Sequence, residues 1–420
     1  MPSVSRPSAF ARVTALAGKR PVHAAFAWLH GNPKKIMDWQ IAVVGIPAPP
    51  FGEQARSKWL AERFLEAGLA KVKTDEVGNV LGFLLPPNHD EESTGPIVVV
   101  SAHLDTVFPA GTTIKPSLTE KDGVDRLEAP GACDNGTGVV GLLALAHSTI
   151  HGHVNVPVPL LFLGNVGEEG EGDLRGIRHL YAGPLAGRVA AHVVLDGAGA
   201  DSAVTQALGS QRFQVTITGP GGHSFTDSGT PNPIAALATA LAALNKTSIP
   251  IEPRTTMNLG TIHGGTSVNS IPESAAASVD FRSTSTEELL RLEVALHRAV
   301  EDAVEFANAQ AKAVAARGKL TFVIRKIGDR PAARLPKDSP ILEALQAVDR
   351  RLDIRTTVRL GSTDANVPIA LHIPSISIGA GGDGGGAHTV SEWYSPKDRD
   401  LGLKRALLLT LAMVEWAAEQ

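Results

Sequence analysis

Glu168 and Glu169 stand side by side just after an apolar run, Leu160-Leu161-Phe162-Leu163, among glycines where a buried strand should open into a loop. Adjacent side chains of an extended segment point in different directions, so one carboxylate can bind a cation while the other stays free to carry a proton. Four further segments offer partners of suitable chemistry: Ala102-His103-Leu104-Asp105, Ala132-Cys133-Asp134-Asn135-Gly136, Leu195-Asp196-Gly197 and Gly386-Ala387-His388-Thr389. His103 and Asp105 are separated by one residue at a strand end, which puts both side chains on the same side. Each signal has an ordinary explanation when taken alone: a packed histidine, an aspartate capping the helix after Asn135-Gly136, a turn within a glycine-rich loop. Two histidines with several carboxylates at one sheet edge are harder to explain as capping and core filling. The mixed nitrogen and oxygen donors suit zinc, with cobalt and manganese as alternatives. Two divalent metal ions about 3.5 to 4 Å apart, joined by a bridging carboxylate, could polarise an amide carbonyl and activate a water. A two-metal hydrolase is the leading reading.

The elements that must hold these residues follow from the apolar pattern. Segments 97–100, 160–163, 193–195 and 373–378 lack polar alternation, as strands buried on both faces do. Helical stretches separate them, including 139–147 and 53–67, the latter with Trp59, Leu60, Phe64 and Leu65 at helical spacing. This is the pattern of an α/β fold with a mostly parallel sheet, and the chemical residues lie just past strand ends, where such sheets place their sites. Between 210 and 327 the pattern changes. Phe213, Val215 and Ile217 alternate with polar residues, and Pro233 opens a helix over 234–244. Strands over 257–262 and 275–281 follow, then a helix over 286–316 and a strand over 320–324. The order β-α-β-β-α-β predicts an inserted α+β domain of ferredoxin-like type. The expected domains are therefore 1–209 with 328–420, and 210–327.

Bulk properties narrow the partners. A hydrophobic fraction of 43% with 20% charged residues indicates a folded chain. The net charge of -4 arises without any dense basic run, which argues against nucleic acid. The lone cysteine, Cys133, fits a reducing compartment and hence a cytoplasmic location, and it reads as a small buried thiol. No secretory signal is evident, and the most apolar stretch, 407–414, reads as a packed terminal helix rather than a membrane span.

With these residues in order, the chain resembles the metallopeptidase and amidohydrolase family that includes peptidase T, glutamate carboxypeptidase, acetylornithine deacetylase and succinyl-diaminopimelate desuccinylase. The resemblance runs nearly end to end. It is carried by His103-Leu104-Asp105, Asp134-Asn135, Gly167-Glu168-Glu169, Asp196, Gly221-Gly222-His223-Ser224, Asn269-Ser270-Ile271-Pro272, Asp280-Phe281-Arg282, Ser362-Thr363-Asp364-Ala365 and His388-Thr389. It implies a zinc-exopeptidase-like catalytic domain in which His103 and Asp196 bind one metal, Glu169 and His388 bind the other, and Asp134 bridges them. It further implies that Asp105 orients His103 and that Glu168 is the general base and acid. The inserted domain would be a lid that pairs two subunits into a homodimer, its His223 reaching the partner's site to stabilise the oxyanion. Asn269 and Arg282 would hold the substrate, Arg282 by a bidentate grip on a free carboxylate.

The chain departs from the pattern at Ala102, where glycine is common, and at Cys133. The stretch 168–176, Glu-Glu-Gly-Glu-Gly-Asp-Leu-Arg-Gly, is closer to peptidase T-like members and favours an exopeptidase acting on short peptides. A deacylase of N-acyl amino acids with the same centre is the alternative. A non-catalytic dimeric metal-binding protein is a remoter one, since such a protein has no use for an unligated Glu168.

Overall fold

A computed structural model describes residues 7–90, 93–121, 123–312 and 318–420. The chain divides into two compact units, Met1–Ala207 with Arg334–Gln420, and Leu208–Ala333.

In the first unit the strand Ile97–His103 is buried at every residue, as is Leu160–Asn165. Ile97, Val99, Leu161 and Leu163 join a cluster with Leu174, Ile177 and Leu180 around the helix Arg175–Ala182. Alternate residues face the other way, where the helices Gly136–His151 and Arg399–Ala417 pack against the strands. A strand covered by helices on both faces needs apolar residues throughout, which is why its sequence shows no alternation. The run 407–414 lies within the largely buried helix Arg399–Ala417, and no described helix is long and apolar enough to cross a membrane.

Strand order places the chemistry. Leu160–Asn165, Ile97–His103, Val189–Leu195 and Ser375–Ile378 are neighbours in that order and run parallel, so their C-terminal ends share one edge. Antiparallel strands flank them, Val80–Leu84 on one side and Ser202–Ala207 on the other. The last parallel strand starts at Ser375 rather than at Ile373, because Pro374 has no N–H to offer and its carbonyl takes the N–H of His192. A smaller sheet pairs Asp383–Gly385 with Trp393–Ser395, and the latter with Val124–Glu128, turning the glycine-rich stretch into a hairpin that carries His388.

The helix Gln54–Ala67 corrects the face read from sequence. It buries Arg56, Ser57, Leu60, Phe64 and Ala67, while Leu65 is 63% exposed. Arg56 turns inward because two backbone carbonyls, of Ile46 and Leu104, accept from its guanidinium.

The second unit is a four-stranded antiparallel sheet in the order Thr255–Gly264, Ser274–Ser283, Gly209–Thr218, Thr321–Arg330. The helices Pro233–Leu244 and Thr286–Gln310 share one core with Phe213, Val215, Ile217, Val279 and Phe281. Along the chain these elements run β-α-β-β-α-β. The long helix ends at Gln310, short of the expected 316, and residues 313–317 lie outside the described ones.

Candidate functional site

Three parallel strands, one helix N-terminus and the hairpin bearing His388 deliver the site of the first unit. His103 closes its strand, Glu168 and Glu169 follow Asn165, and Asp196 follows Leu195. Asn135, not Asp134, caps the helix Gly136–His151: its Oδ1 accepts the N–H groups of Gly138 and Gly197, and its Nδ2 donates to the carbonyl of Leu195. The helix is thereby tied to the strand end bearing Asp196, and the Asp134 carboxylate is released from capping. The Asp134–Asn135 peptide bond is cis. Gly167 has φ of 66°, and a Cβ there would meet Cγ of Arg175 at 2.6 Å, so only glycine passes the chain into Glu168.

Asp134 stands at the centre. Its Oδ1 lies 3.1 Å from Nε2 of His103 and its Oδ2 lies 3.1 Å from Nε2 of His388. Oδ1 of Asp196 is 3.8 Å from the same nitrogen of His103, and Oε1 of Glu169 is 3.0 Å from that of His388. Two donor sets result, His103 with Asp134 and Asp196, and Asp134 with Glu169 and His388; in each set the donor atoms lie within 4.8 Å of one another. Glu168 belongs to neither set, although one of its oxygens is within the same distance of His103 and Glu169.

Charge and burial say what the cluster suits. Burial alone would push His103 below its ordinary value, but Asp105, Asp134 and Asp196 hold it well above. Hydrogen bonds to Asp134 and Glu169 push His388 up to about 10. Asp134 stays below the usual carboxylate range despite its burial, because both histidines donate to it. Imidazoles that hold protons this firmly are answering an excess of convergent negative charge. Divalent cations answer it better, and the nitrogen and oxygen donors fit zinc, cobalt or manganese.

Asp105 faces both His103 and the loop that carries the glutamates. Nδ1 of His103 meets the backbone carbonyl of Asp105 at 3.1 Å, while the nearer carboxylate oxygen stands 3.7 Å away. The carboxylate instead accepts two backbone N–H groups, from Glu168 at 3.0 Å on Oδ1 and from Glu169 at 2.7 Å on Oδ2. Burial opposes its ionisation, yet His103 and these N–H groups hold it below its ordinary value.

Three supporting residues carried no assigned role in the sequence. Glu392, fully buried, accepts the N–H groups of Gly131, Cys133 and Asp134 at 2.7, 2.8 and 2.6 Å. Arg56 donates Nη1 to the carbonyl of Leu104, between His103 and Asp105. Burial lowers it to about 10, against the pull of Asp105 and Glu392. Asp364 accepts from Nδ2 of Asn165 at 2.7 Å and is pushed by burial to about 7. The motif 362–365 flagged Asp364; nothing in spacing or composition flagged the other two. Cys133 is a buried free thiol raised to about 12 by burial and stands in neither donor set.

In the second unit His223 pairs with Ser270, and the N–H of Ser224 reaches the carbonyl of Asn269 at 3.0 Å, so His223 and Asn269 adjoin. Nδ1 of His223 accepts from the N–H of Phe225, which leaves Nε2 as the protonated nitrogen of the neutral ring. Arg282 sits opposite Ser210, eight residues beyond the Ser274 pairing, roughly 27 Å further along the same sheet.

The profile of Peptidase family M20/M25/M40 matches residues 99–413. The chain belongs to this family. Among similar proteins, a Probable carboxypeptidase of Aspergillus clavatus is 29% identical over 252 residues, 55% of this chain and 54% of that protein. One of Neosartorya fischeri is 27% identical over 282 residues, 60% of this chain and 62% of that protein. The match spans about half the length of these curated relatives. Among solved structures, aminopeptidase PepT of Bacillus cereus superposes with a TM-score of 0.68 at 20% identity, covering 91% of this chain and 99% of that one. A tripeptidase of Staphylococcus aureus gives 0.67 at 21%, covering 93% and 99%. A dinuclear metal-binding peptidase of Bacillus subtilis gives 0.60 at 15%, covering 92% and 99%. The mostly parallel α/β fold is thus the fold of M20 peptidases.

Proposed function

We propose that this M20 member is a dinuclear metal-dependent exopeptidase that hydrolyses amide bonds of short peptides. The observation that carries the reading is Asp134, which turns one oxygen to each donor set. His103 and Asp196 would hold one cation and Glu169 and His388 the other, with Asp134 between them. When bound, the cations supply Lewis acidity that polarises the amide carbonyl and acidifies a water. Glu168 takes the water's proton on its carboxylate and passes it to the leaving nitrogen. The backbone clamp from Asp105 keeps Glu168 and Glu169 in these separate roles.

The 208–333 unit acts in this reading as a lid and dimerisation domain. Its strand Thr255–Gly264 is an edge of the sheet, with Leu259 and Ile262 exposed, and a second copy could pair there. One lid separates His223 from Arg282 by most of a strand length, so a single substrate met by both residues meets them from two copies. Arg282 then grips the substrate of its own subunit, with Asn269 and His223 of the partner subunit at the scissile carbonyl.

Protein loaded separately with zinc, cobalt or manganese, and offered di- and tripeptides alongside N-acyl amino acids under mass-spectrometric detection, tests the reading. Release of terminal amino acids from peptides is expected. Preferential release of acetate or succinate would move the protein to the deacylases, and stoichiometric metal with neither product would sink hydrolysis altogether.

A further inference from the structure

The small sheet that carries His388 has one buried face and one polar face. Leu127 and Tyr394 pair in register and are fully buried, so the alternate residues Arg126, Glu128 and Trp393 turn the other way. The strand Ser117–Lys121 extends this sheet, with Ser117 opposite Glu128. Gly385 stands opposite Trp393, and a Cβ there would come within 3.0 Å of the indole nitrogen, so the glycine lets the ring lie against the hairpin. The guanidinium of Arg126 stacks on that ring, 4.1 Å from its centroid. Its side chain is only 19% exposed, and its Nε lies 3.2 Å from Oε1 of the half-exposed Glu128 in an ion pair that makes no hydrogen bond. Among the described residues the two terminal nitrogens of Arg126 meet no acceptor.

Arg126 lines a cavity of about 490 Å³ together with Lys115 and the hydroxyl residues Thr113, Ser117 and Ser391. Glu128 and Glu392 are the carboxylates of its wall, and the oxygens of Glu392 are occupied by the N–H groups of Gly131, Cys133 and Asp134. Two cations and three hydroxyls therefore face one unengaged acid, which makes the cavity a cradle for an anion. A mostly buried guanidinium is costly until its forked donors find an acceptor, and the paired oxygens of a carboxylate or phosphate match that fork. The volume falls within the range of small-molecule sites, which run from about 300 to 1,000 Å³.

The walls of this cavity also hold the donor sets. Ala129 donates its N–H to the carbonyl of Glu392 at 3.1 Å, Pro130 leads into the 131–134 loop, and Ser391 follows His388 on the same hairpin. An anion bridging Arg126 and Ser391 clasps the strand leading to Asp134 against the hairpin bearing His388. We propose that this cavity is an effector site for a small free anion bearing a carboxylate or phosphate group, and that its occupancy slows departure of the cation held by Asp134, Glu169 and His388. The anion site stands on the cavity and its donors; its effect on the centre rests on the metal-dependent reading above.

The test titrates succinate and inorganic phosphate by calorimetry into zinc-treated wild type, Arg126→Met, Arg126→Lys and Lys115→Met. Zinc release to a chromophoric chelator is followed with and without each anion. Wild type should bind at least one of the two, with Kd raised about tenfold or more in Arg126→Met and Lys115→Met and partly restored in Arg126→Lys. The tighter of the two probes tells a carboxylate source from a phosphate source. Anion bound at the metals themselves would persist in every variant. Saturating anion should slow zinc release about fivefold or more in wild type and not in Arg126→Met, the lower end of coupling between linked sites. Unchanged basal turnover and thermal midpoint show that the variants are folded. Absence of binding, or binding that neither substitution alters, overturns the site. Competitive inhibition of peptide hydrolysis that disappears in Arg126→Met makes the cavity a substrate pocket and overturns the effector role, as does zinc release indifferent to the anion. If the protein retains no zinc yet binds the anion through Arg126, the metal-dependent reading fails and the anion site stands.

Discussion

Glu392 takes the backbone N–H of Asp134 on Oε1 at 2.6 Å, and so fixes the residue that both donor sets share. Its oxygens also accept from Gly131 and Cys133, so a Gln at this position would turn an amide N–H₂ towards at least one backbone N–H. Glu392→Gln should therefore weaken metal binding about 10- to 100-fold, as loss of outer-shell support does elsewhere. Competition with a chromophoric chelator measures it, and wild-type affinity in a folded variant would show that the loop holds itself.

The neighbouring glutamates should fail in different ways. Glu168→Gln should lower turnover by about 10² to 10⁴ with metal content unchanged, the loss expected for a general base. Glu169→Ala should lose the cation held with His388. Elemental analysis alongside kinetics separates the two, and identical defects would end the division of labour.

Acid stability should depend on a histidine that belongs to neither donor set. His192 is fully buried, meets the hydroxyls of Tyr181 at 2.9 Å and Ser101 at 2.8 Å, and is lowered by burial from 6.5 to about 3. The unfolded chain binds this proton below pH 6.5 and the native one does not until about pH 3, so stability falls as pH falls through that window. The slope for this one group approaches about 1.4 kcal/mol per pH unit. Urea titrations of metal-free protein from pH 7 to about pH 4 should show a shallower slope for His192→Gln than for wild type; parallel slopes would contradict the assignment.

Subunit exchange tests the crossed role of His223. Homodimers of His223→Ala and of Glu168→Gln should each be nearly inactive. After exchange, the mixed dimer rebuilds one of its two sites from Glu168 of one chain and His223 of the other, so an equimolar mixture in which about half the dimers are mixed should return about a quarter of wild-type activity. No recovery in verified mixed dimers would place His223 in its own subunit's site.

Much of this arrangement was legible because it rests on periodicity and strand ends. Fully apolar runs announced buried parallel strands, and chemistry at parallel strand ends must share an edge, so His103, Glu168, Glu169 and Asp196 could be grouped before any distance was known, while Asp134 before a helix and His388 in a glycine-rich loop joined them through the order of the motifs. The β-α-β-β-α-β order was equally readable from the switch between alternating and helical patterns. The supporting residues were not, because they act through the backbone. Glu392 binds N–H groups that every residue possesses, and no side-chain pattern encodes that. Arg56 hides within an amphipathic helix as an ordinary polar position, and only the carbonyls of Ile46 and Leu104 reveal why it is buried while Leu65 is not. Asp105 was found, but its grip on two N–H groups required the loop geometry.

The insertion point of the second unit also sets an order of assembly. His103, Asp134 and Asp196 all precede Leu208, whereas His388 and Glu392 come after Ala333. A chain made from its N-terminus therefore presents one donor set before the inserted unit exists, and acquires the second set, with the residue that steadies Asp134, only after that unit has been synthesised. On the proposed reading, any product broken off within the insertion would lack His388 and Glu392 and could offer only the first donor set, so hydrolysis would be the last property this polypeptide gains.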